Sequence, residues 1–197
     1  IYMAEVEGFR GVLHICHVTL PETVALIRQS RRGLPFRITC GATPHHLFLS
    51  TENMKGEEGL LLKVNPPLRS EEERRGLLGA FLKGEIEWLE TDHAPHTVSE
   101  KLGQGFPKSG GEERDRKSRP RPREYPSGLP VLHFYHRCLE RLAILGLGQE
   151  AIMRLTFKNI LEAFNMKEDL FPPELAKGKR KEISTLEYGY DPFGALG

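Results

Sequence analysis

The sequence predicts an α/β fold built on a parallel sheet, because short apolar runs alternate with helical patterns in its first half. Residues 11–18 and 36–39 have the length and composition of strands, and residues 85–90 are a further strand candidate. Strands that alternate with helices form βαβ units, so these strands are expected to lie parallel. In such folds the polar residues at the carboxyl ends of the strands carry the chemistry.

Local signals indicate where the helices begin. Pro21 opens the first, and Val24 and Ile27 give it an inward-facing stripe. Ser70 followed by Glu73 is a capping box at the start of the second. Two more helices are predicted after residue 130 from apolar residues spaced three and four apart: Val131, Tyr135, Cys138, Leu142 and Leu145, then Ile152, Leu155, Leu161 and Phe164.

Composition excludes several classes of protein. The chain has 197 residues, enough for one domain, and its formal net charge of +1 gives no reason to expect nucleic acid or a membrane surface as partner. Its three cysteines form no close pair, which favours a reducing compartment, the cytoplasm, over a disulfide framework. No apolar run approaches the roughly 20 residues of a membrane span.

The chain divides by composition into a body and a polar tail. Residues 1–170 are predicted to form one unit, interrupted at about 97–127 by a polar loop that is expected to be mobile and could act as a lid. Residues 171–197 are predicted to be a polar tail. The chain opens at Ile1 inside a helical pattern, so a segment is expected upstream of it.

Histidines cluster at three predicted strand ends: His14 with His17, His45 with His46, and His93 with His96. Asp92 accompanies the third cluster. Neutral imidazoles and carboxylates are the ligands that zinc takes in catalytic sites, and a carboxylate beside the metal can transfer protons. A single histidine at a strand end is more often structural. Cys16 beside His17 raises the alternative of a structural zinc, but the second thiol at CxxC spacing is missing.

Taken in order, these clusters resemble the motifs of dihydroorotases, which are cyclic amidohydrolases of the amidohydrolase superfamily. The matching strings are His17-Val-Thr, Thr43-Pro-His-His-Leu, Asn65-Pro-Pro-Leu-Arg and Thr91-Asp-His-Ala-Pro-His. Glu100-Lys101 fits the pattern after the last motif, and Ser127-Gly-Leu-Pro resembles a glycine-rich substrate loop. The Asp-His-Ala-Pro-His string also occurs in allantoinases.

The resemblance implies a TIM (β/α)8 barrel, of which this chain would supply the second half, about strands 5 to 8. It implies one or two zinc ions and the reversible hydrolysis of dihydroorotate to N-carbamoyl-L-aspartate in pyrimidine biosynthesis. The residues that it assigns are His17, His46 and Asp92 as metal ligands, Asp92 also as the catalytic proton shuttle, and Asn65, His96, Gly128 and Arg69 as substrate contacts. It assigns no ligand role to His45 and His93, which lie beside the matched residues and would pack against or support the ligands.

The sequence departs from the family pattern in three respects. It contains no His-x-His and no lysine in the order expected for the bridging carboxylated lysine. Glu90 stands where the family has a small residue, and residues 131–133 replace a glycine and an acid. Half a barrel leaves an open parallel edge, so the chain is expected to pair with a missing N-terminal half or to form a homo-oligomer.

Two other functions are therefore open. The absent ligands and Glu90 motivate a non-catalytic partner, such as a scaffold for aspartate carbamoyltransferase. A related allantoinase or hydantoinase would keep the chemistry and change the ring.

Overall fold

A computed structural model of the chain describes residues 1–103, 125–167 and 188–194. The strands are β1 (Val12–Ile15), β2 (Arg37–Ala42) and β3 (Trp88–Leu89). The α-helices are α1 (Tyr2–Val6), α2 (Pro21–Ser30), α3 (Pro44–Phe48), α4 (Glu71–Leu82), α5 (Val98–Lys101), α6 (Val131–Ile144), α7 (Gln149–Met153) and α8 (Asn159–Phe164). The predicted loop lies outside the described residues at 104–124, as does the predicted tail at 171–187 and 195–197.

The three strands form a parallel sheet in the order β1-β2-β3, which confirms the sequence prediction. Val12 of β1 is in register with Arg37 of β2, and Gly41 of β2 with Trp88 of β3. Two backbone hydrogen bonds extend the second pairing, from Glu87 to Cys40 at 3.1 Å and from Glu90 to Ala42 at 2.9 Å. All the carboxyl ends therefore lie at one edge of the sheet, here called the carboxyl edge.

The two faces of the sheet differ in chemistry because side chains alternate along a strand. One face packs into the hydrophobic core through Ile38 and Cys40, with Leu13 and Ile15 partly buried against it. The opposite face carries His14, which contacts β2 and β3 as described below. A polar face of this kind is unusual on a sheet of βαβ units, whose two faces are normally covered.

The helices begin where local signals predicted them. α2 starts at Pro21 and buries Val24 and Ile27. At α4 the Ser70 hydroxyl accepts from the Glu73 amide at 3.3 Å, and a Glu73 carboxylate oxygen accepts from the Ser70 amide at 2.9 Å. α6 buries Val131, Cys138 and Leu142 of its predicted stripe, while Tyr135 is partly buried and Leu145, at the C-cap, is exposed. The last predicted helix is α7, a turn of π-helix at Arg154–Lys158 and α8 in succession.

The described residues differ from a four-strand half barrel. They contain three paired strands, and β3 is shorter than the predicted stretch 85–90. The apolar run at residues 60–64 lies outside the sheet, and its first residues belong to a 3-10 helix, Glu57–Leu62. Gly59 permits this close turn, because a Cβ there would lie 2.6 Å from the Met54 carbonyl carbon. Which part of a barrel the chain represents stays a prediction.

Residues 188–194, within the predicted tail, pack against the body. Phe193 is fully buried and lies beside Phe134 of α6. The Val98 amide at the start of α5 donates to the Tyr188 carbonyl at 3.1 Å. This segment therefore joins α5 to α6. Among the described helices, none has the length and apolar character needed to cross a bilayer.

Candidate metal and substrate site

His17 and Asp92 follow β1 and β3 at the carboxyl edge, and both have left-handed backbone conformations. Their φ angles are 39° and 44°, values that non-glycine residues rarely adopt. Such strain costs about 1–3 kcal/mol and concentrates at functional sites, where the surrounding structure holds it. At His17 the backbone amide donates to a carboxylate oxygen of Glu90 at 2.7 Å. The strained positions coincide with two of the predicted metal ligands.

His45 and His46 lie on α3, the short helix that follows β2. Thr43 caps α3, its hydroxyl accepting from the His46 amide at 3.3 Å, and Pro44 occupies the first turn. The His46 ring lies between two partners, with Nδ1 2.7 Å from the Thr43 hydroxyl and Nε2 2.9 Å from the Pro66 carbonyl oxygen. His46 is therefore held at the carboxyl edge by hydrogen bonds at both nitrogens.

His45 is the residue whose importance the sequence did not indicate. Its side chain is fully buried, yet neither ring nitrogen has a hydrogen-bond partner. Its Nε2 lies 3.9 Å from the nearer carboxylate oxygen of Asp92, too far for a hydrogen bond. Buried polar atoms without partners are costly, so these nitrogens suit a ligand or cation. The only signal in the sequence was the adjacency of His45 to the predicted ligand.

Electrostatics keep both α3 histidines neutral. Burial lowers the pKa of His46 to about 4, opposed by its hydrogen bond to Pro66 and reinforced by the nearby His17. Burial also lowers the pKa of His45 well below its usual range, with His46 and His17 adding to the effect. Metal ligands must be deprotonated, and these rings meet that condition at neutral pH.

The predicted substrate residues lie at several places around this edge. Asn65 is exposed. The Arg69 Nε donates to the Thr19 hydroxyl at 3.0 Å, which ties the Asn-Pro-Pro-Leu-Arg motif to the end of β1. His96 lies 3.8 Å from the Glu100 carboxylate. The structure thus places His45 beside Asp92 and against His46. Among the described residues, the ligand atoms of His17, His46 and Asp92 do not all lie within 4.8 Å of one another.

Gly128 is buried at a close approach of two loops. Its φ is 136°, and a Cβ there would lie 2.4 Å from the Ala94 carbonyl oxygen. Its amide donates to the Lys63 carbonyl at 3.0 Å. Its neighbour Leu129 forms a parallel bridge with His93. This glycine allows the predicted substrate loop to pack directly behind the Asp92 motif.

Gly128→Ala is expected to lower the free energy of unfolding by about 2–3 kcal/mol, because it combines a strained φ with a clash against backbone. Gly79→Ala is the matched control, since nothing lies within 4 Å of a Cβ at this helical glycine. It is expected to stabilise the protein by about 0.5–1 kcal/mol. Urea unfolding of both variants checks the pair, and equal effects would contradict the assignment.

Lys101 is a buried cation that fastens the same loop. Its side chain is 0% exposed, and its ammonium donates to the carbonyls of Lys63 at 2.7 Å and Pro126 at 3.3 Å. Burial, with Lys63 as a smaller cause, lowers the pKa of Lys101 to about 7. The sequence included it only as part of a matched motif. It connects α5 to the segment before Gly128.

Stability is expected to rise between pH 7 and about 10, because the unfolded chain keeps Lys101 protonated to its usual pKa of about 10.4 while the folded chain releases the proton near 7. Below pH 7 the folded and the unfolded chain both keep Lys101 protonated, so the full free-energy cost of burying this charge lowers the stability. Urea unfolding across this range checks it. Lys101→Met removes the titration, so a stability difference between it and wild type that does not change with pH would contradict the prediction.

The fold of the described residues matches solved cyclic-amide hydrolases, which are TIM-barrel amidohydrolases. Dihydropyrimidinase from Brevibacillus agri aligns with a TM-score of 0.62 and 23% identity, over 79% of this chain and 32% of that one. Dihydroorotase from Saccharomyces cerevisiae, in complex with 5-fluoroorotic acid, aligns with a TM-score of 0.56 and 15% identity, over 79% and 39%. These likenesses show a fold shared with part of such enzymes.

The curated relatives are dihydroorotases. The enzyme of Fusobacterium nucleatum is 43% identical over 96 residues, which are 49% of this chain and 22% of that protein. The enzyme of Macrococcus caseolyticus is 47% identical over 88 residues, 45% of this chain and 20% of that protein. The predicted resemblance is confirmed, over a segment about a fifth of the relatives' length. No family model matches the chain.

Proposed function

We propose that the protein hydrolyses a cyclic amide, interconverting dihydroorotate and N-carbamoyl-L-aspartate, at a zinc site on the carboxyl edge. The proposal rests mainly on one observation: three parallel strand ends carry the predicted ligands His17, His46 and Asp92 to this edge. The similarity to dihydroorotases over about half the chain supports the choice of ring.

The unpartnered nitrogens of His45 fit zinc as they stand, whereas His46 would have to exchange one of its two hydrogen bonds for the metal. The α3 histidines are buried and neutral, and the unpartnered Nε2 of His45 lies 3.9 Å from the Asp92 carboxylate. In this proposal His17, His46 and Asp92 hold the metal, one or two ions in the complete protein, and His45 is a further donor beside them. Bound zinc lowers the pKa of a water ligand and polarises the amide carbonyl.

In this proposal Asp92 is the proton shuttle. Its side chain is 36% exposed, so water and substrate can reach the carboxylate. It accepts the proton of the attacking water as the C–O bond forms, and returns it to the ring nitrogen as the C–N bond breaks.

The substrate would be bound by the loops that surround this edge. Asn65 and His96 offer hydrogen bonds to ring amides, and Arg69 offers a positive charge for the substrate carboxylate. The loop of Gly128, which packs behind the Asp92 motif, is proposed to contact the ring. A substrate with one carboxylate and a cyclic amide uses each of these groups.

The experiment is an assay of the full-length protein loaded with zinc, run in both directions with dihydroorotate and carbamoyl aspartate. Hydantoin and allantoin serve as competing substrates. Interconversion of the first pair at a higher kcat/KM supports the proposal. If the protein binds zinc but prefers hydantoin or allantoin, the substrate assigned to it would change to that ring. If it binds no zinc or turns over none of these substrates, the proposed function is refuted.

The proposal includes completion of the site from outside this chain. Among the described strands, β1 and β3 are the edges, since each pairs only with β2. We propose that an N-terminal half or a second copy pairs along one of these two edge strands. We also propose that the protein works in the cytoplasm, with aspartate carbamoyltransferase as a partner. Light scattering of the full-length protein, alone and mixed with that enzyme, measures these assemblies.

A further inference from the structure

Glu90 lies at the end of β3 with its carboxylate directed across the sheet toward β1. One oxygen accepts from the backbone amide of His17 at 2.7 Å, and the other pairs with Nε2 of His14. The side chains of Glu90 and His14 are only 17% and 13% exposed. A charge-assisted hydrogen bond to a backbone amide in so shielded a place is among the stronger ones.

The central strand leaves room for this carboxylate. A Cβ built on Gly41 would lie 2.3 Å from the carboxyl carbon of Glu90 and 2.4 Å from its Oε1. The Glu90 carboxyl therefore occupies the volume that a side chain at position 41 would fill. Gly41 sits in an ordinary strand conformation, so space is what its missing side chain provides.

His14 anchors the carboxylate from the other side. Its Nδ1 lies 2.8 Å from the Thr39 hydroxyl, and its ring stacks on Trp88 with centroids 3.7 Å apart and planes at 16°. With the imidazole fixed by β2 and β3, one Glu90 oxygen has a fixed partner. The other oxygen is then aimed at the His17 amide.

We propose that Glu90 is a positioning residue: its carboxylate, in the space left by Gly41, holds the His17 amide and so sets the left-handed turn that directs the His17 side chain. The effect of Glu90 on the backbone at His17 does not depend on the proposed function. Its consequence for metal binding rests on the proposed function, in which His17 is a ligand.

The same group of residues suggests a competing explanation. The ligand atoms of His14, Cys16 and Glu90 lie within 4.8 Å of one another, a spacing that a metal ion could draw together. The carboxylate oxygens and both His14 nitrogens, however, already have protein partners. The observations therefore favour positioning, and a thiolate metal site is a distinct outcome of the test.

The test measures hydrogen exchange at the His17 amide in the full-length protein without metal or substrate. Glu90→Ala is expected to speed exchange there by about tenfold or more, because the acceptor is lost. Glu90→Gln keeps an acceptor oxygen and is expected to remain close to wild type. In the double variant Glu90→Ala with Gly41→Asp, a carboxyl group from β2 enters the vacated space, and slow exchange is expected to return.

Slow exchange at His17 in a folded Glu90→Ala protein overturns the proposal, and so does fast exchange in a folded double variant. If Glu90→Ala does not fold, hydrogen exchange at the His17 amide in Glu90→Gln and in the double variant still tests the proposal. Loading with cobalt tests the competing site: a thiolate-to-cobalt absorption band that both Cys16→Ser and Glu90→Gln abolish would make Glu90 a ligand and overturn positioning.

A second measurement separates this inference from the function. Zinc affinity of the full-length protein is expected to fall about 10- to 100-fold in Glu90→Ala, with unchanged stoichiometry. An unchanged affinity in Glu90→Ala would overturn the link to metal binding. Wild-type protein that binds no zinc would refute the proposed function and leave the exchange result standing.

Discussion

Asp92→Asn is expected to lower kcat for dihydroorotate hydrolysis by about 10²- to 10⁴-fold. Asparagine has nearly the same shape but cannot accept the proton of the attacking water. Because the Asp92 side chain is partly exposed, the substitution is expected to leave the fold intact. The measurement is steady-state kinetics of the zinc-loaded full-length protein, with zinc content and melting temperature recorded for each preparation.

Glu162→Gln is the matched control for this prediction. It makes the same chemical change on α8, where the Glu162 side chain is half exposed beside Arg154. This variant is expected to keep the wild-type kcat. A folded Asp92→Asn protein that binds zinc and keeps the wild-type kcat would show that another group moves the proton.

His46→Ala is expected to weaken zinc binding more strongly than His45→Ala, because the proposed function makes His46 the ligand. His45→Ala is nevertheless expected to weaken it about 10- to 100-fold, the usual effect of a group supporting the ligands. Its buried, unpartnered nitrogen lies 3.9 Å from the Asp92 carboxylate. Competition with a chelating indicator measures both dissociation constants.

His136→Ala provides the control, since this histidine is exposed on α6. It is expected to bind zinc as wild type does. The reverse ranking, with His45→Ala the weaker binder, would assign the ligand role to His45. The hydrogen bonds that hold both His46 nitrogens would then be its structural role.

The sequence predicted those elements whose signals are local. Pro21 and the Ser70–Glu73 capping box determine where α2 and α4 begin, and both signals lie within one turn of the helix they start. β3 was predicted too long, because the length of a strand depends on how much of it finds a neighbour. That neighbour, β2, lies more than forty residues earlier in the chain.

The candidate site divides in the same way. The motifs predicted His17, His46 and Asp92 as ligands, and the structure brings the strand ends that precede them to one edge of the sheet. Adjacent residues on α3 differ in what they contact, and no periodicity distinguishes His45 from His46. Nor could the sequence show that Glu90 fits against Gly41, since the two are joined only by the pairing of β2 with β3. From sequence alone, Glu90 was only a charged residue at a position where the family has a small one.

The stacking of His14 on Trp88 gives the protein an internal optical reporter. Trp88 is the single tryptophan of the chain, so its near-ultraviolet emission arises from one place, the polar face of the sheet. When an imidazole stacked on an indole gains a proton or moves away, the fluorescence emission of the indole changes. Fluorescence of the unlabelled protein can therefore follow rearrangements around His14 and Glu90 in real time, without a dye or a second label.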